Sequence, residues 1–522
     1  MLVTSSLAAL LLFAAITVAY INRGPANRQI KAGAATVLVP SAAAKTSTTR
    51  AQSPAPASSP QFDLSRSLIA GGGGTSSNGS LRIDGAIGQP AAGTVMSGGN
   101  FAQAGGFWQP EATPTPSPTP TPMPTPTTIQ FSAASYTVAE SGQQVDITVT
   151  RQGNTSTSAG VDFMTDDSAA AQKCNVINGA ASSRCDYETR IATIKFGPNE
   201  TSKIISVFII DDSYLEGTEA FTVNLSNPSG ATLGAQVTAS VMITDNDLAD
   251  GPNPIDVPGF FVQVHYLDFL NRLPDNGGLQ FWIGNIMSCG NDPQCADIKR
   301  INVSAAFYLS IEFQQTGYLV ERLYKTAYGD ASGVSTLGAS HQLPVPVVRL
   351  NEFLADTQQI GQGVVVNQTG WEAVLENNKQ LFAAAFVQRS RFMANFPANL
   401  TPAQFVDSLF LNAGVTPAIT DRQAAIDEFS GAGNTTDLAA RARALRRIAE
   451  NGTLTQQEFN RAFVLMQYFG YLRRNPNDPQ DSDYTGYDFW LSKLNQFNGN
   501  FINAEMVKAF ITSAEYRQRF GP

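Results

Sequence analysis

Residues 185–234 read CDYETRIATIKFGPNETSKIISVFIIDDSYLEGTEAFTVNLSNPSGATLG, and this stretch decides the fold of the middle of the chain. Apolar and polar residues alternate in three runs, which turn signals such as Gly197-Pro198-Asn199 and Asn227-Pro228-Ser229-Gly230 bound. Such alternation directs one face of a strand into a core and the other into solvent. Similar runs continue on both sides, so about seven short strands within residues 128–247 predict an antiparallel β-sandwich.

Acidic residues give this segment almost all of the net charge of the chain. Residues 128–247 contain 14 acidic and 6 basic residues, a balance of −8, while the whole chain carries −9. Consecutive antiparallel strands reverse direction, so the start of one strand and the end of the next lie at the same pole of a sandwich. By this counting, two hairpins and the loop between them bring seven acidic residues to one pole, and Glu140 in the turn of residues 139–142 reaches the same pole when its strand pair packs in the usual way. The eight acidic residues are Glu140, Asp186, Asp211, Asp212, Glu216, Glu219, Asp245 and Asp247.

A pole crowded with carboxylates needs cations to offset the repulsion between like charges. Calcium takes roughly 6 to 8 oxygen ligands from flexible loops, whereas magnesium retains water and zinc prefers His or Cys. Residues 128–247 contain no histidine, so calcium is the expected cation. The alternative is an acidic surface that only keeps the protein soluble, and the gathering of the acids at one pole favours the calcium site.

The motifs VAES, VDFMTDD and VMITDND, together with the stretch quoted above, resemble a Calx-beta domain. This family of calcium-binding, immunoglobulin-like sandwiches occurs in sodium/calcium exchangers and many bacterial surface proteins, and the resemblance spans residues 128–247. It implies calcium-ligand roles for the eight acidic residues named above. Asn246 departs from a frequently acidic position, and residues 169–183 form an inserted loop. The exchangers' regulatory role is not implied, because no transport domain is present.

After a short linker at residues 248–257, the pattern becomes helical and stays so through residue 522, which predicts an all-α region, and the pattern repeats itself. FVQVHYLDFLNRLPDNGGLQFW at residues 261–282 matches FVLMQYFGYLRRNPNDPQDSDYTGYDFW at residues 463–490, and AFYLSIEF matches AFITSAEY further on. Weaker copies start near Leu319 and Phe405, so we predict four helical units, the second with an insertion around residues 329–346. Residues 258–522 resemble the bacterial domain-of-unknown-function family 4214, whose chemistry is not established.

The segments before the sandwich suggest export. An apolar run at residues 7–21 has the length of a signal-peptide core, so residues 1–21 are expected to be a signal peptide or an uncleaved N-terminal anchor. Residues 22–60 have a disordered composition, and residues 61–110 read as a small Gly-rich β module. Residues 111–127 alternate Thr and Pro, which predicts an extended linker or surface stalk.

The four cysteines form two local pairs, Cys174 with Cys185 and Cys289 with Cys295. Neither pair has the CxxC spacing of a zinc or thioredoxin site, so two short disulfide loops are expected, with reduced buried thiols as the alternative. Disulfides persist outside the cytoplasm. The cysteines therefore agree with export.

The sequence contains no catalytic motif, and its two histidines are His265 and His341. His265 lies among aromatic residues in a predicted helix, where a structural role is expected, and the net charge of −9 argues against nucleic-acid binding through a basic face. The sequence thus predicts a multidomain, secreted or cell-surface protein that binds Ca²⁺. Its sandwich and helical repeats would mediate adhesion, matrix or envelope interactions with an extracellular protein or polysaccharide, with no membrane span beyond the N-terminal anchor. The alternative is a secreted enzyme, perhaps carbohydrate-active, with its site in the helical repeats.

Overall fold

The computed structural model describes residues 126–169 and 172–522 with their side chains, and four earlier strands by their backbone alone. These strands are β1 (Gly74–Asn78), β2 (Leu81–Gly85), β3 (Met96–Gly98) and β4 (Phe101–Gln103). β1 pairs with β2 and β3 with β4, both antiparallel, within the expected Gly-rich module. The expected signal or anchor, the expected disordered segment and nearly all of the Thr/Pro linker lie outside the described residues.

Residues 128–244 form a β-sandwich, as predicted. Its strands are β5 (Thr128–Phe131), β6 (Ser135–Ala139), β7 (Gln144–Gln152), β8 (Ala159–Thr165), β9 (Ile191–Phe196), β10 (Ser202–Phe208), β11 (Glu219–Ser229), β12 (Thr232–Leu233) and β13 (Thr238–Thr244). One sheet has the order β10-β7-β5-β12, and the other has the order β6-β13-β11-β8-β9. Alternate residues of most strands, such as Ile147, Phe163 and Val241, are buried between the sheets.

The sandwich is not wholly antiparallel, and this part of the prediction is wrong. β5 and β6 are separated by three residues but lie in different sheets, where β5 runs parallel to β12 and β6 parallel to β13. β9 and β10 also do not form a hairpin, because β9 pairs with β8 and β10 with β7. Alternation of apolar residues identifies strands but is the same whichever sheet a strand joins.

The region after residue 257 is mainly helical. Its helices are α1 (Pro258–Leu270), α2 (Asn276–Met287), α3 (Pro293–Leu309), α4 (Ile311–Gln315), α5 (Gly317–Tyr328), α6 (Leu350–Gly361), α7 (Trp371–Phe386), α8 (Ser390–Asn395), α9 (Pro402–Ala413), α10 (Ile419–Asp427), α11 (Leu438–Ala449), α12 (Gly452–Met466), α13 (Thr485–Gln496), α14 (Met506–Ile511) and α15 (Ala514–Arg517). A π-helical turn at Gln467–Leu472 continues α12. Among the described helices, none is both long and apolar enough to span a membrane.

The predicted insertion in the second helical unit is a β-hairpin, so the expectation of helix throughout this region is wrong there. Strand β14 (Asp330–Ser335) pairs with β15 (His341–Pro346). Pro344 and Pro346 disfavour a helix because proline lacks the backbone N–H that a helix interior requires. A Cβ on Gly333 would lie 2.7 Å from Val345 of the partner strand and 2.7 Å from Tyr484, the residue that precedes α13. The hairpin therefore packs closely on the start of α13.

The two strongest copies of the internal repeat make the same side-chain contacts. Arg272 donates to Glu312 with both Nε and Nη2, at 2.7 and 2.8 Å. The matching residues Arg474 and Glu515 pair in the same way, at 2.7 and 3.1 Å. Each arginine also lies over a matching tyrosine ring, Tyr266 in one copy and Tyr468 in the other.

The sandwich packs against the helical region through buried charges and apolar residues. Arg473, which follows the π-helical turn, places Nη2 2.5 Å from Glu188 Oε2 of the sandwich, and both side chains are buried. Ile210, which lies just after β10, belongs to the hydrophobic core of the helical region. Residues 248–257 connect the two regions, and Ile255 within them is buried in that same core.

Candidate metal centre

The first group of carboxylates lies where two parallel strands end side by side. β6 and β13 pair with Ala139 opposite Thr244, so the residues that follow them, Glu140 and Asp245, are neighbours. Glu140 opens a short 3₁₀ turn and is buried, while Asp245 and Asp247 lie on the loop after β13. One carboxylate oxygen from each of Glu140, Asp245 and Asp247 lies within 4.8 Å of the other two.

A second group consists of Asp186, Glu216 and Glu219, whose carboxylate oxygens also lie within 4.8 Å of one another. Glu219 is the first residue of β11, and Glu216 lies on the loop before it. Asp186 closes a turn in which the Ser182 backbone N–H donates to its Oδ2 at 2.5 Å. This turn and the loop before β11 thus direct three acidic side chains into one small volume.

Asp212 lies between the two groups. Its backbone N–H donates to Glu140 Oε1 at 2.9 Å, and its own Oδ1 accepts from the Tyr214 backbone N–H at 2.8 Å. Asp211 is exposed beside the two groups. After burial, its negative charge is one of the causes that raise the pKa values of Glu140 and Asp247. The structure therefore brings all eight predicted residues to one pole, six of them in two compact groups, with Asp212 between the groups and Asp211 beside them.

Asp245 organises the loop that carries Glu216. Its Oδ2 accepts hydrogen bonds from the backbone N–H groups of Glu216, at 2.8 Å, and Gly217, at 2.7 Å. Its Oδ1 accepts from the Asp247 N–H at 2.6 Å. Gly217 has φ of +78°, a conformation that residues with a Cβ seldom adopt. The glycine therefore allows both N–H groups to converge on one carboxylate.

Two residues that the sequence did not assign as ligands also tie the loops together. Asp250 Oδ1 accepts from the Leu215 N–H at 3.0 Å, and its charge adds a small contribution to the pKa of Glu216, which burial raises most. Asn246, at the frequently acidic position, accepts from the Ser141 N–H at 3.2 Å through its side-chain oxygen. The acidic run that continues past residue 247 was the available sequence signal for Asp250.

Several carboxylate oxygens at this pole are buried and lack a hydrogen-bond partner in the described part of the chain. They are Asp186 Oδ1, Asp212 Oδ2 and Asp247 Oδ2. Asp186 is only 7% exposed, and Asp212 only 6% exposed. An unpartnered buried acceptor costs about 1 to 3 kcal/mol, and more when it is charged. A bound cation would satisfy these oxygens.

Burial and mutual repulsion raise the pKa of most carboxyl groups at the pole. Burial, followed by repulsion from neighbouring carboxylates, raises the pKa of Glu140 and of Glu216 to about 8 and that of Glu219 to about 7. Burial, followed by the charge of a neighbouring acid, raises the pKa of Asp186 and Asp212 well above the ordinary value. Without a cation, several of these groups therefore hold protons near neutral pH.

The donors gathered at the pole are all oxygen atoms, and none of the eight residues is a His or Cys. Oxygen-only sites on irregular loops suit Ca²⁺, which accepts many oxygens in flexible geometry, better than Mg²⁺ or Zn²⁺. Seven of the eight residues lie on turns or loops and the eighth, Glu219, begins β11, so the set can adjust to a large ion. The residues present therefore fit a calcium site.

Both predicted disulfides are present. Cys174 is bonded to Cys185, and Cys289 is bonded to Cys295. The first pair packs with Tyr214 in a small buried cluster. Because Cys185 directly precedes Asp186 and Tyr214 belongs to the loop after β10, this disulfide supports both of the loops that carry the buried acids.

His265 has the structural role expected from the sequence. It is fully buried, its Nδ1 lies 2.6 Å from the Phe261 carbonyl oxygen, and its Nε2 lies 2.7 Å from Ser304 Oγ. Ser304 Oγ also bonds to the hydroxyl of Tyr471 at 2.6 Å. Burial lowers the pKa of His265 to about 4, so the ring is neutral and joins α1 to α3.

Comparison with known proteins identifies similarity over the sandwich. The Calx-beta domain family model matches residues 124–247. The sodium/calcium exchanger Calx of Drosophila melanogaster is 33% identical over 120 residues, which are 23% of this chain and 12% of the exchanger. The human extracellular matrix organizing protein FRAS1 is 33% identical over 124 residues, which are 23% of this chain and 3% of FRAS1.

Among solved structures, the calcium binding domain CBD12 of CALX1.1 is 31% identical, with a TM-score of 0.20. The match covers 23% of this chain and 44% of that one. The chain thus spans only a small part of the curated relatives that it matches. The chain contains a Calx-beta domain at residues 124–247, followed by a helical region.

Proposed function

We propose that the acidic pole of the sandwich binds Ca²⁺ and that the protein is exported to act at the cell surface. The observation that carries the proposal is the presence of two carboxylate triads, beside buried oxygens of Asp186 and Asp212 that have no partner among the described residues. Such an arrangement of unpaired buried acids is costly unless a cation or protons neutralise it.

The two triads would supply the ligands, with Asp212 available to both. Bound calcium supplies positive charge that replaces protons and offsets the repulsion between carboxylates. Glu140 and Asp245 would join the ends of β6 and β13 through the ion, while Asp186 and Glu219 would join the turn before β9 to β11. Calcium would in this way hold the irregular loops of the pole in one arrangement.

The surface role rests on three further features. Both disulfides suit an oxidising compartment, and the apolar run near the N-terminus suits export. One relative over the same segment is named as a matrix organizing protein. The helical region, which resembles domain-of-unknown-function family 4214, would provide the remaining surface for an extracellular protein or polysaccharide.

The alternative of a secreted enzyme requires a cleft with a carboxyl group that holds a proton near neutral pH. A groove of about 660 Å³ between α7 and α11 is lined by Glu376 and Glu428. Arg446 lowers the pKa of Glu376 to about 2. Burial alone would raise the pKa of Glu428, but Arg447 and Arg443 lower it. Neither carboxyl group is suited to donate a proton.

The helical region also contains a buried acidic pair, Glu321 and Glu458. Burial, and then repulsion by Glu458, raises the pKa of Glu321 well above its ordinary value. Arg461 Nε lies 2.8 Å from Glu458, and Lys325 Nζ lies 3.8 Å from it. Both glutamates are at most 5% exposed, so the pair belongs to the helix core. These observations favour the calcium-binding surface protein over the enzyme.

The test is calorimetric titration of the full chain with CaCl₂. The wild type is expected to bind, and Asp212→Ala/Glu216→Ala is expected to lose most of the binding heat, because it removes a central carboxylate and one triad member. The matched control is Asp146→Ala/Glu200→Ala, which removes the same number of carboxyl groups. Asp146 accepts from Ser206 Oγ on the sheet surface, and Glu200 lies on the turn between β9 and β10 at the opposite pole.

A chain that binds no calcium at millimolar concentration would refute the proposal. So would a result in which the Asp146/Glu200 variant loses binding while the Asp212/Glu216 variant retains the wild-type affinity.

A further inference from the structure

The last residues of the chain contact the loop that carries Asp212, although about 300 positions separate them. The backbone N–H and the Oγ of Ser213 both donate to the Phe520 carbonyl oxygen, at 3.0 and 3.2 Å. The Tyr214 hydroxyl donates to the Gln518 carbonyl oxygen at 3.3 Å. Residues 213 and 214 are therefore held from outside the sandwich, immediately next to the buried carboxylate of Asp212.

The same C-terminal residues also contact the turn that carries Asp186. Arg519 Nε donates to the Arg184 carbonyl oxygen at 2.7 Å, and Arg184 Nη2 lies 3.4 Å from Glu515 Oε1. Arg519 is fully buried, and its two terminal nitrogens donate to Asp268 on α1 at 2.9 and 3.0 Å. The contact with the turn is thus anchored in the core of the helical region.

These contacts leave little free space. A Cβ on Gly521 would overlap Ser213 Oγ and would lie 3.1 Å from the Cα of Asn253. Asn253 Nδ2 donates to the carbonyl oxygens of Arg517 and Gly521, both at 2.9 Å. Gly521 therefore allows a close backbone approach to Ser213 that other residues would prevent.

We infer that residues 515–521, here called the C-terminal clamp, are a positioning element for the calcium ligands Asp186 and Asp212. The inference rests on the proposed function and adds to it that the helical region sets the calcium affinity of the sandwich. Because coupling between two sites is reciprocal, calcium bound at the pole must then stabilise the contacts between the clamp and the two loops.

The physical reason is that the clamp works against the repulsion between the carboxylates. The turn before β9 and the loop after β10 have little regular secondary structure, and like charges would push them apart when no cation is bound. The hydrogen bonds from Ser213 to the Phe520 carbonyl, and from the buried Arg519 to the Arg184 carbonyl, fix the two loops before an ion binds. A site that is ordered before binding loses less conformational entropy on binding, and this raises its affinity.

The first experiment compares Gly521→Ala with Gly433→Ala in the full chain. Gly433 lies in an exposed loop of the helical region, and a Cβ there would contact nothing within 4 Å. Calcium titration is expected to show at least about a fivefold weaker affinity for Gly521→Ala, the lower end of typical coupling between sites. The Gly433→Ala variant is expected to match the wild type, and circular dichroism checks that both variants fold.

The second experiment needs no variant. Hydrogen exchange of the backbone amides of residues 515–521 is measured in the wild-type chain with EDTA and with saturating CaCl₂. The clamp contributes none of the eight proposed ligands, so slower exchange in calcium would report coupling rather than direct coordination. If Gly521→Ala does not fold, the hydrogen-exchange measurement alone tests the positioning role of the clamp.

The outcomes separate the two proposals. A wild-type chain that binds no calcium refutes the proposed function. The positioning role is overturned, while the calcium site stands, if the wild-type chain binds calcium but exchange in the clamp does not change. In that case a folded Gly521→Ala variant would also keep the wild-type calcium affinity. Slower exchange in the clamp, together with weaker binding by the folded variant, supports the role.

Discussion

Asp186 and Asp212 illustrate how single buried acids determine the properties of the pole. Each has one oxygen held by a backbone N–H and another with no partner among the described residues. The first bond fixes the direction of the side chain, and the second oxygen is left available. Residues that serve only to keep a surface soluble would face water, whereas these two are more than nine-tenths buried.

The raised pKa values at the pole predict that the calcium-free protein loses stability as pH rises. Glu140 and Glu216 have pKa values near 8, and Glu219 has one near 7, all above the ordinary 4.5. The folded state therefore binds these protons more tightly than the unfolded state. This contribution is fully present below about pH 4.5 and is lost as pH rises through about 7 to 8.

Urea unfolding in EDTA is expected to give a lower free energy of unfolding at pH 8 than at pH 5.5. Saturating calcium should remove most of that difference, because the ion replaces the protons. Titration at pH 7 in two buffers of different ionisation enthalpy should show that calcium binding releases protons. Equal heats in the two buffers would contradict the assignment of protonated carboxyl groups.

At the scale of elements, the acidic pole depends on pairings that join distant segments. The parallel pair of β6 and β13 places Glu140 beside Asp245, and the disulfide loop between β8 and β9 leads directly into the turn of Asp186. Most of the acids thus lie on loops. The strand pairing and the Cys174–Cys185 disulfide fix the positions at which those loops begin.

The two disulfides are predicted to differ in their effect on calcium binding. Cys174→Ala/Cys185→Ala should weaken calcium affinity, because that bond packs on Tyr214 and precedes Asp186. Cys289→Ala/Cys295→Ala is the matched control, since it removes a short disulfide between α2 and α3 in the helical region. Each removal is expected to lower stability by about 2 to 3 kcal/mol.

Calorimetric titration and denaturant unfolding of both variants would measure the two effects separately. Equal losses of calcium affinity in the two variants would show that the sandwich disulfide has no special role at the pole.

At the scale of the whole molecule, the sandwich and the helical region behave as one packed body. Glu188 of the sandwich pairs with Arg473, and Ile210 of the sandwich lies in the helical core. Separating the regions would expose that apolar residue and leave a buried charge without its partner. A family match that covers the sandwich alone therefore does not mark a freely moving module.

We predict that the sandwich and the helical region unfold in one calorimetric transition, which calcium shifts to higher temperature. Arg473→Met should lower the free energy of unfolding by about 3 to 5 kcal/mol, because it leaves Glu188 buried and unpaired. Arg422→Met, which breaks the exposed pair with Asp407, should leave stability unchanged. Two separate transitions, of which calcium shifts only one, would contradict this view.

The sequence by itself determined most of the elements and the acidic residues that gather at the pole. Alternation of apolar residues identified the strands, the acids at strand ends identified the pole, and internal matches such as Arg272 with Arg474 identified the repeat. These signals are local, since each depends on residues within a few positions or on direct comparison of two segments. The pairing of nearby cysteines was readable for the same reason.

Only the tertiary structure decided how the elements meet. It divided β5 and β6 between two sheets, formed a hairpin in the helical insertion and added Asp250 to the pole. It also brought Phe520 against Ser213. Such contacts join residues that lie up to about 300 positions apart. They form because one packing of the apolar helix and sheet faces has a lower free energy than the alternative packings. A local sequence pattern is the same in all of these packings, so it does not show which one is adopted.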